Sequence, residues 1–124
     1  SMGAKVAAYC ASALGRTSLR PPLSVFVSGC RAPHIPEPRP IHHLDDLGFK
    51  RELRRFGSTP KEVLENDELL DFFMPLLRAD FLLDETFVNW SGEIMLKCPL
   101  HAFYGEDDQE ALKQEVEPWK VYTS

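Results

Sequence analysis

The sequence is poor in cysteine and glycine and lacks any long apolar run. Its 124 residues include three cysteines and seven glycines. Cys10, Cys30 and Cys98 are odd in number and far apart, which excludes a disulfide framework and a paired-cysteine metal site. No apolar stretch approaches the ~20 residues of a membrane-spanning helix. We therefore expect a cytoplasmic protein in a reducing compartment, with no metal ion and no membrane association.

Basic charge is also scarce. The chain has 14 Lys and Arg against 19 Asp and Glu, for a formal net charge of −5 at pH 7. Binding to nucleic acid needs a basic stripe that neutralises phosphates. A basic cluster at 50–55 has acidic neighbours, so it is typical of a solvated helix face. We expect no nucleic-acid partner.

Two short apolar runs, 23–28 and 100–104, predict strands of the kind that are covered on both faces. A helix is predicted over 3–14, before the first strand, and a helix start or an irregular segment over 109–119. Strands joined to helical segments indicate an α/β domain. Two strands are too few for a doubly wound sheet, so we expect most of the sheet to be absent from the chain.

Between the two strands the pattern becomes helical, from about 44 to 87. Gly57 is predicted to end a first helix, and Thr59 with Pro60 to cap and start the next. A further start is predicted at Asn66 or Asp67. Pro75 interrupts the long apolar segment that follows and predicts a kink there.

The first residues contain a candidate nucleophile. Ser1-x-Gly3 followed by a helix is the second half of the G-x-S-x-G turn, in which the serine lies between a strand and a helix. The backbone amide of Met2 would then point into an oxyanion hole. By itself this short pattern is unspecific. After the second strand, Gly105 is followed by Asp107 and Asp108, and their spacing is equally typical of turn carboxylates and of a catalytic acid.

Longer segments carry a resemblance to a known family. The chain resembles the type II thioesterases of the α/β-hydrolase superfamily, which edit polyketide and nonribosomal-peptide assembly lines and are related to medium-chain fatty acyl thioesterases. The similarity runs in order over nearly the whole sequence. The segments that carry it are "SMGAKVAAYCASAL", "VFVSGCRAPH", "FGSTPKEVLENDELLDFFMPLLRADF", "CPLHAFYGEDD" and "EPWK".

The resemblance implies a partial α/β-hydrolase fold, a central parallel sheet with a helical lid at about 44–87, in one partial domain over 1–124. It implies hydrolysis of acyl thioesters on the phosphopantetheine arm of an acyl or peptidyl carrier protein, or of acyl-CoA, by a serine enzyme that needs no cofactor and is a monomer when intact. By this resemblance, Ser1 is the nucleophile, Asp108 is the triad acid, and the Met2 amide is a donor of the oxyanion hole. Five apolar lid residues are expected near the acyl chain: Phe72, Phe73, Met74, Leu76 and Leu77.

The sequence departs from the family in its histidines. The family's catalytic histidine follows the acid, whereas the four histidines here all precede Asp108: His34, His42, His43 and His101. The strands before the nucleophile are also missing. We therefore expect a central fragment of a thioesterase, inactive as a hydrolase without its histidine.

Three other interpretations stay open. The chain could be a non-catalytic module that binds acyl chains or a carrier protein. Ser1 could be an N-terminal nucleophile that uses its own α-amine as the base, although such residues begin a strand rather than a helix. Finally, Ser1 and Met2 could be a remnant of a tag, which would keep the family but remove the nucleophile.

Overall fold

The computed structural model of the protein describes residues 2–57 and 59–124. Helices and strands follow one another along the chain as α1 (Met2–Gly15), β1 (Val25–Ser28), α2 (Asp46–Phe56), α3 (Lys61–Leu64), α4 (Asp67–Thr86), β2 (Leu100–Phe103) and α5 (Lys113–Val116). Two 3₁₀ helices, Phe87–Glu93 and Glu117–Tyr122, precede β2 and follow α5. None of the described helices combines the length and the apolarity needed to cross a bilayer.

The two strands form a parallel pair. Val25 lies opposite Leu100, and the register continues to Ser28 opposite Phe103. Parallel strands need a crossover between them, and α2, α3 and α4 lie within this one. The α/β class is therefore confirmed, and the carboxyl ends of both strands lie at the same edge of the sheet.

In the described part of the chain only one face of β1 is covered, although its apolar run is typical of strands that are covered on both faces. Along β1 buried and exposed residues alternate, with Val27 2% and Phe26 63% exposed. Phe26 stacks on His101 of β2, with ring centroids 4.7 Å apart, and Phe103 on the same face is 53% exposed. An apolar run shows that a strand can be buried, whereas the elements packed on it decide which face is.

The chain divides into two compact units, one running to Pro36 and resuming at Thr86, the other covering Glu37–Glu85. The first unit contains the sheet, and α1 packs against β1. Its core includes Trp119, which is 1% exposed and whose indole N–H donates to the Cys30 carbonyl at 2.8 Å. This bond fixes the chain just after β1, at the edge of the sheet where the candidate site lies.

The second unit is helical and has its own core, formed by α2 and α4 around Phe49, Leu53 and Leu70, each 0% exposed. Arg78 of α4 ties down the segment before α2 by donating to the carbonyls of His42 at 2.9 Å and Leu44 at 2.5 Å. The helical character predicted between the strands is thus present.

Local sequence signals correctly predicted two of the helix ends in this unit. Gly57 ends α2 in the left-handed conformation with φ 66°, as predicted, because glycine pays no Cβ penalty there. The Asn66 side chain caps α4 by accepting from the Leu69 amide at 3.0 Å. The predicted start at Thr59 and Pro60 is wrong by one residue, since α3 begins at Lys61 with Pro60 in the cap position and no side-chain cap.

Pro75 lies inside a helix, and the kink predicted there stays a prediction. Helix α4 is one element of 20 residues that contains Pro75. Pro75 lies on an exposed part of the helix surface. There water can bond the carbonyl that a proline leaves without its helical partner, so the helix can continue past the ring.

Glu85, near the end of α4, has a buried carboxylate that binds the segment before α2. Its side chain is 2% exposed, accepts from the Ile41 and His42 amides at 2.8 and 3.0 Å, and pairs with the His42 ring. Glu85→Ala would leave these buried amides without an acceptor. We expect it to lower the free energy of unfolding of this unit by about 2–5 kcal/mol.

Chemical denaturation followed by circular dichroism measures this loss. The matched control is Asp80→Ala, an exposed carboxylate of the same helix. Equal stability of the two variants would contradict a structural role for Glu85.

Candidate active site

The carboxyl ends of β1 and β2 meet at the edge of the sheet that carries the candidate site. Gly29, directly after β1, donates its amide to the carbonyl of Phe103 at 3.0 Å. Gly105 follows β2 and begins a turn in which the Asp108 amide donates to the Gly105 carbonyl at 3.1 Å. In open α/β sheets, ligands bind outside the carboxyl ends of the strands.

The carboxylate of Asp108 is held at this edge by backbone amides. Its Oδ1 accepts from the amides of Glu110 at 2.8 Å and Ala111 at 3.2 Å. These two hydrogen bonds to one carboxylate oxygen restrict the rotation of the side chain. The side chain is half-buried. Asp108 is therefore an oriented carboxylate, the form that a triad acid requires.

Asp107 has a different environment. It is exposed, and its backbone carbonyl accepts from the Gln109 side chain at 3.3 Å. Sequence spacing left both aspartates open, but the two backbone amides orient the side chain of Asp108. The geometry favours Asp108 as the acid, and its catalytic role stays a prediction.

Gly29 is a site residue that the sequence reasoning missed. It has φ +55°, in the left-handed region, and a Cβ built on it would lie 3.5 Å from Oδ2 of Asp108. A side chain here would be strained by the positive φ, and its Cβ would contact the carboxylate. Its signal in the sequence was a glycine directly after the last residue of a strand.

Met2 is the first residue of α1, which has 14 residues. The amides of a helix's first turn have no acceptor within the helix, and the helix dipole makes that end attractive to negative charge. This position fits the predicted oxyanion donor, whose role is untested. The predicted nucleophile, Ser1, lies outside the described residues.

The five predicted lid residues fall into two groups. Met74, 7% exposed, and Leu77 belong to the core of the helical unit. Phe72 and Leu76, one helical turn apart, are 77% and 59% exposed, and Phe73 packs its ring against Phe72 with centroids 5.2 Å apart. Phe72 and Leu76 therefore form an exposed apolar stripe that a ligand could contact, whereas Met74 and Leu77 stabilise the unit.

Two histidines of the described chain bond partners other than Asp108. Nδ1 of His34 lies 2.7 Å from the phenol oxygen of Tyr122, and His42 pairs with Glu85. Burial raises the pKa of the Tyr122 phenol, so its hydroxyl stays protonated at neutral pH. Within residues 2–57 and 59–124, no group of three His, Cys, Asp or Glu side chains could hold a metal ion.

A comparison with protein families matches the thioesterase domain to residues 1–124. Among curated relatives, thioesterase PikA5 of Streptomyces venezuelae is 38% identical over 124 residues, covering 100% of this chain and 44% of the relative. The medium-chain S-acyl fatty acid synthase thioesterase of Rattus norvegicus is 30% identical over 128 residues, which cover 100% of this chain and 48% of that protein. The chain thus spans about half the length of the curated relatives it matches.

The fold is similar to that of a solved type II thioesterase, YbtT, from the yersiniabactin NRPS/PKS biosynthetic pathway. The two superpose with a TM-score of 0.86 at 37% sequence identity, covering 100% of this chain and 50% of YbtT. This similarity confirms the predicted α/β-hydrolase fold, of which the chain contains a part.

Proposed function

We propose, from the premise that the chain belongs to the thioesterase domain family, that it carries the nucleophile and the acid of a serine thioesterase. The observation that carries this proposal is Asp108, held by the Glu110 and Ala111 amides where β1 and β2 end side by side. An oriented carboxylate at that edge is what a catalytic histidine needs to be held in one tautomer.

In the proposed reaction, the Ser1 hydroxyl attacks the thioester carbonyl while a histidine takes its proton. Asp108 orients that histidine and stabilises the imidazolium that forms. The Met2 amide donates to the oxyanion of the tetrahedral intermediate. The thiol leaves with the proton from the histidine, and water then hydrolyses the acyl-serine. The family's order of serine, acid and histidine implies a histidine after Asp108, and the four histidines of this sequence all precede it.

The proposed substrate is an acyl chain on the phosphopantetheine thiol of a carrier protein, or acyl-CoA, in polyketide, nonribosomal-peptide or fatty-acid synthesis. Support comes from the relatives' own names, one an NRPS/PKS type II thioesterase and another a medium-chain fatty acid synthase thioesterase. The apolar stripe of Phe72 and Leu76 suits a hydrocarbon chain. We propose a monomeric cytoplasmic enzyme without a cofactor.

The test is hydrolysis of acyl-carrier and acyl-CoA thioesters by the full-length protein, together with labelling by a fluorophosphonate, which reacts with activated serines. We expect thioester cleavage and labelling at Ser1. A module that only binds acyl chains or carrier proteins would retain the acyl-carrier without cleaving it and would not be labelled.

The exposed lid stripe leads to a prediction on chain length. Phe72→Ala is expected to lower kcat/KM for a ten-carbon acyl thioester by about tenfold or more, because an aromatic side chain loses its contact with the chain. An acetyl thioester is too short to use that contact and should react as before. The measurement is kcat/KM for both substrates.

The matched control is Glu62→Ala, an exposed substitution in α3, away from the Phe72–Leu76 stripe. An equal effect of Phe72→Ala on acetyl and decanoyl substrates would contradict a role in acyl binding.

A further inference from the structure

Arg31 is a buried charge beside the candidate site. It lies two residues after Gly29, at the carboxyl end of β1, and is 7% exposed. A buried guanidinium is costly unless it is paired and hydrogen-bonded. Its contacts therefore show what the position is used for.

Arg31 holds both ends of the segment that follows Asp108. Its Nη2 donates to the carbonyl of Glu110 at 2.7 Å, and its Nε lies 3.6 Å from Oε1 of Glu115. The other carboxylate oxygen of Glu115 accepts from the Leu112 amide at 3.0 Å. A backbone hydrogen bond also joins the two segments, since the Ala32 amide donates to the Glu115 carbonyl at 2.8 Å.

One peptide group connects this arrangement to Asp108. The carbonyl of Glu110, which Arg31 holds, and the N–H of Ala111 belong to the same planar peptide unit. That N–H donates to Oδ1 of Asp108 at 3.2 Å. Fixing the carbonyl therefore fixes the direction from which the amide reaches the carboxylate.

We infer that Arg31 is a positioning residue for Asp108: it sets the Glu110–Ala111 peptide so that its amide aims the carboxylate at the catalytic histidine. This inference rests on the proposed thioesterase function. Arginine suits the task because its planar guanidinium donates to the Glu110 carbonyl through Nη2 while its Nε lies within ion-pair range of the Glu115 carboxylate. A lysine ammonium is a single point charge on a flexible stem and lacks this planar arrangement of donors.

The kinetic test compares Arg31→Met and Arg31→Lys in the full-length protein, with Lys113→Met as the matched control. Lys113 is a 62% exposed cation of the same segment, paired with Glu117 at 3.8 Å. A misplaced acid should lower kcat of Arg31→Met on the order of 10²-fold with little change in KM. Arg31→Lys should lie between Arg31→Met and the parent, and Lys113→Met should match the parent.

A double mutant separates positioning from general stability. If Arg31 acts through Asp108, the variant with both Arg31→Met and Asp108→Asn should be no slower than Asp108→Asn alone. If the two substitutions lower kcat independently, so that the double mutant is slower than Asp108→Asn, the inference is overturned. Loss of the fold in both Arg31 variants would assign the residue to stability and would overturn it too.

Hydrogen exchange gives a readout that needs no activity. In Arg31→Met, the amides of Glu110 and Ala111 should exchange faster, while the amides of β1 keep their protection. If the parent protein cleaves no thioester, the proposed function fails, and exchange then tests only whether Arg31 holds the Glu110–Ala111 peptide. Unchanged protection of the two amides in Arg31→Met would overturn it.

Discussion

Ser1→Ala is expected to reduce thioester hydrolysis by the full-length protein on the order of 10⁶-fold, because it removes the nucleophile of a triad that works as a unit. Some rate above the uncatalysed reaction should remain, since the oxyanion donor at Met2 and the substrate contacts are unchanged. The loss should appear in kcat, with substrate binding retained.

The measurement is thiol release from an acyl-carrier thioester, with fluorophosphonate labelling in parallel. Ser18→Ala is the matched control, an exposed serine outside the described helices and strands. It should keep full activity and labelling. Undiminished hydrolysis by Ser1→Ala would reject the serine as the nucleophile.

The full-length protein also tests whether Ser1 acts as an N-terminal nucleophile. A serine that uses its own α-amine as base loses that base when residues are attached ahead of it. A serine in a strand-to-helix turn instead requires residues ahead of it. Activity in a form extended before Ser1 would therefore support the turn and exclude the α-amine.

Asp108→Asn is the second substitution for which we expect a large loss of activity. The amide cannot hold the histidine in the tautomer that accepts the serine proton, and we expect a loss of about 10⁴-fold in kcat. Asp107→Asn is the matched control, identical in chemistry and one residue away. It should stay close to the parent, since its side chain is exposed. A larger loss of kcat in Asp107→Asn than in Asp108→Asn would identify Asp107 as the acid instead.

Stability separates the catalytic role of Asp108 from its structural one. Asparagine still offers an oxygen to the Glu110 and Ala111 amides, so Asp108→Asn should unfold close to the parent. Asp108→Ala removes that acceptor and should lower the free energy of unfolding by about 1–3 kcal/mol. If Asp108→Asn were destabilised as much as Asp108→Ala, its loss of activity would reflect loss of structure.

Local chemistry in the sequence was enough to predict much of the scaffold. The apolar runs predicted both strands, and Gly57 and Asn66 predicted helix ends, because a left-handed glycine and a capping side chain act within a few residues of themselves. The family followed from extended motifs, which the thioesterase match over residues 1–124 confirms.

Tertiary structure decided what depends on distant residues. The preference for Asp108 over Asp107 rests on the direction of two amides, and Arg31 reaches the Glu110 carbonyl from 79 positions away along the chain. Likewise, Met74 and Phe72 are equally apolar in the sequence, but packing buries the first and exposes the second. Hydrophobicity and spacing define which residues can be buried or paired, whereas the partners that bury or pair them are brought close only by the fold.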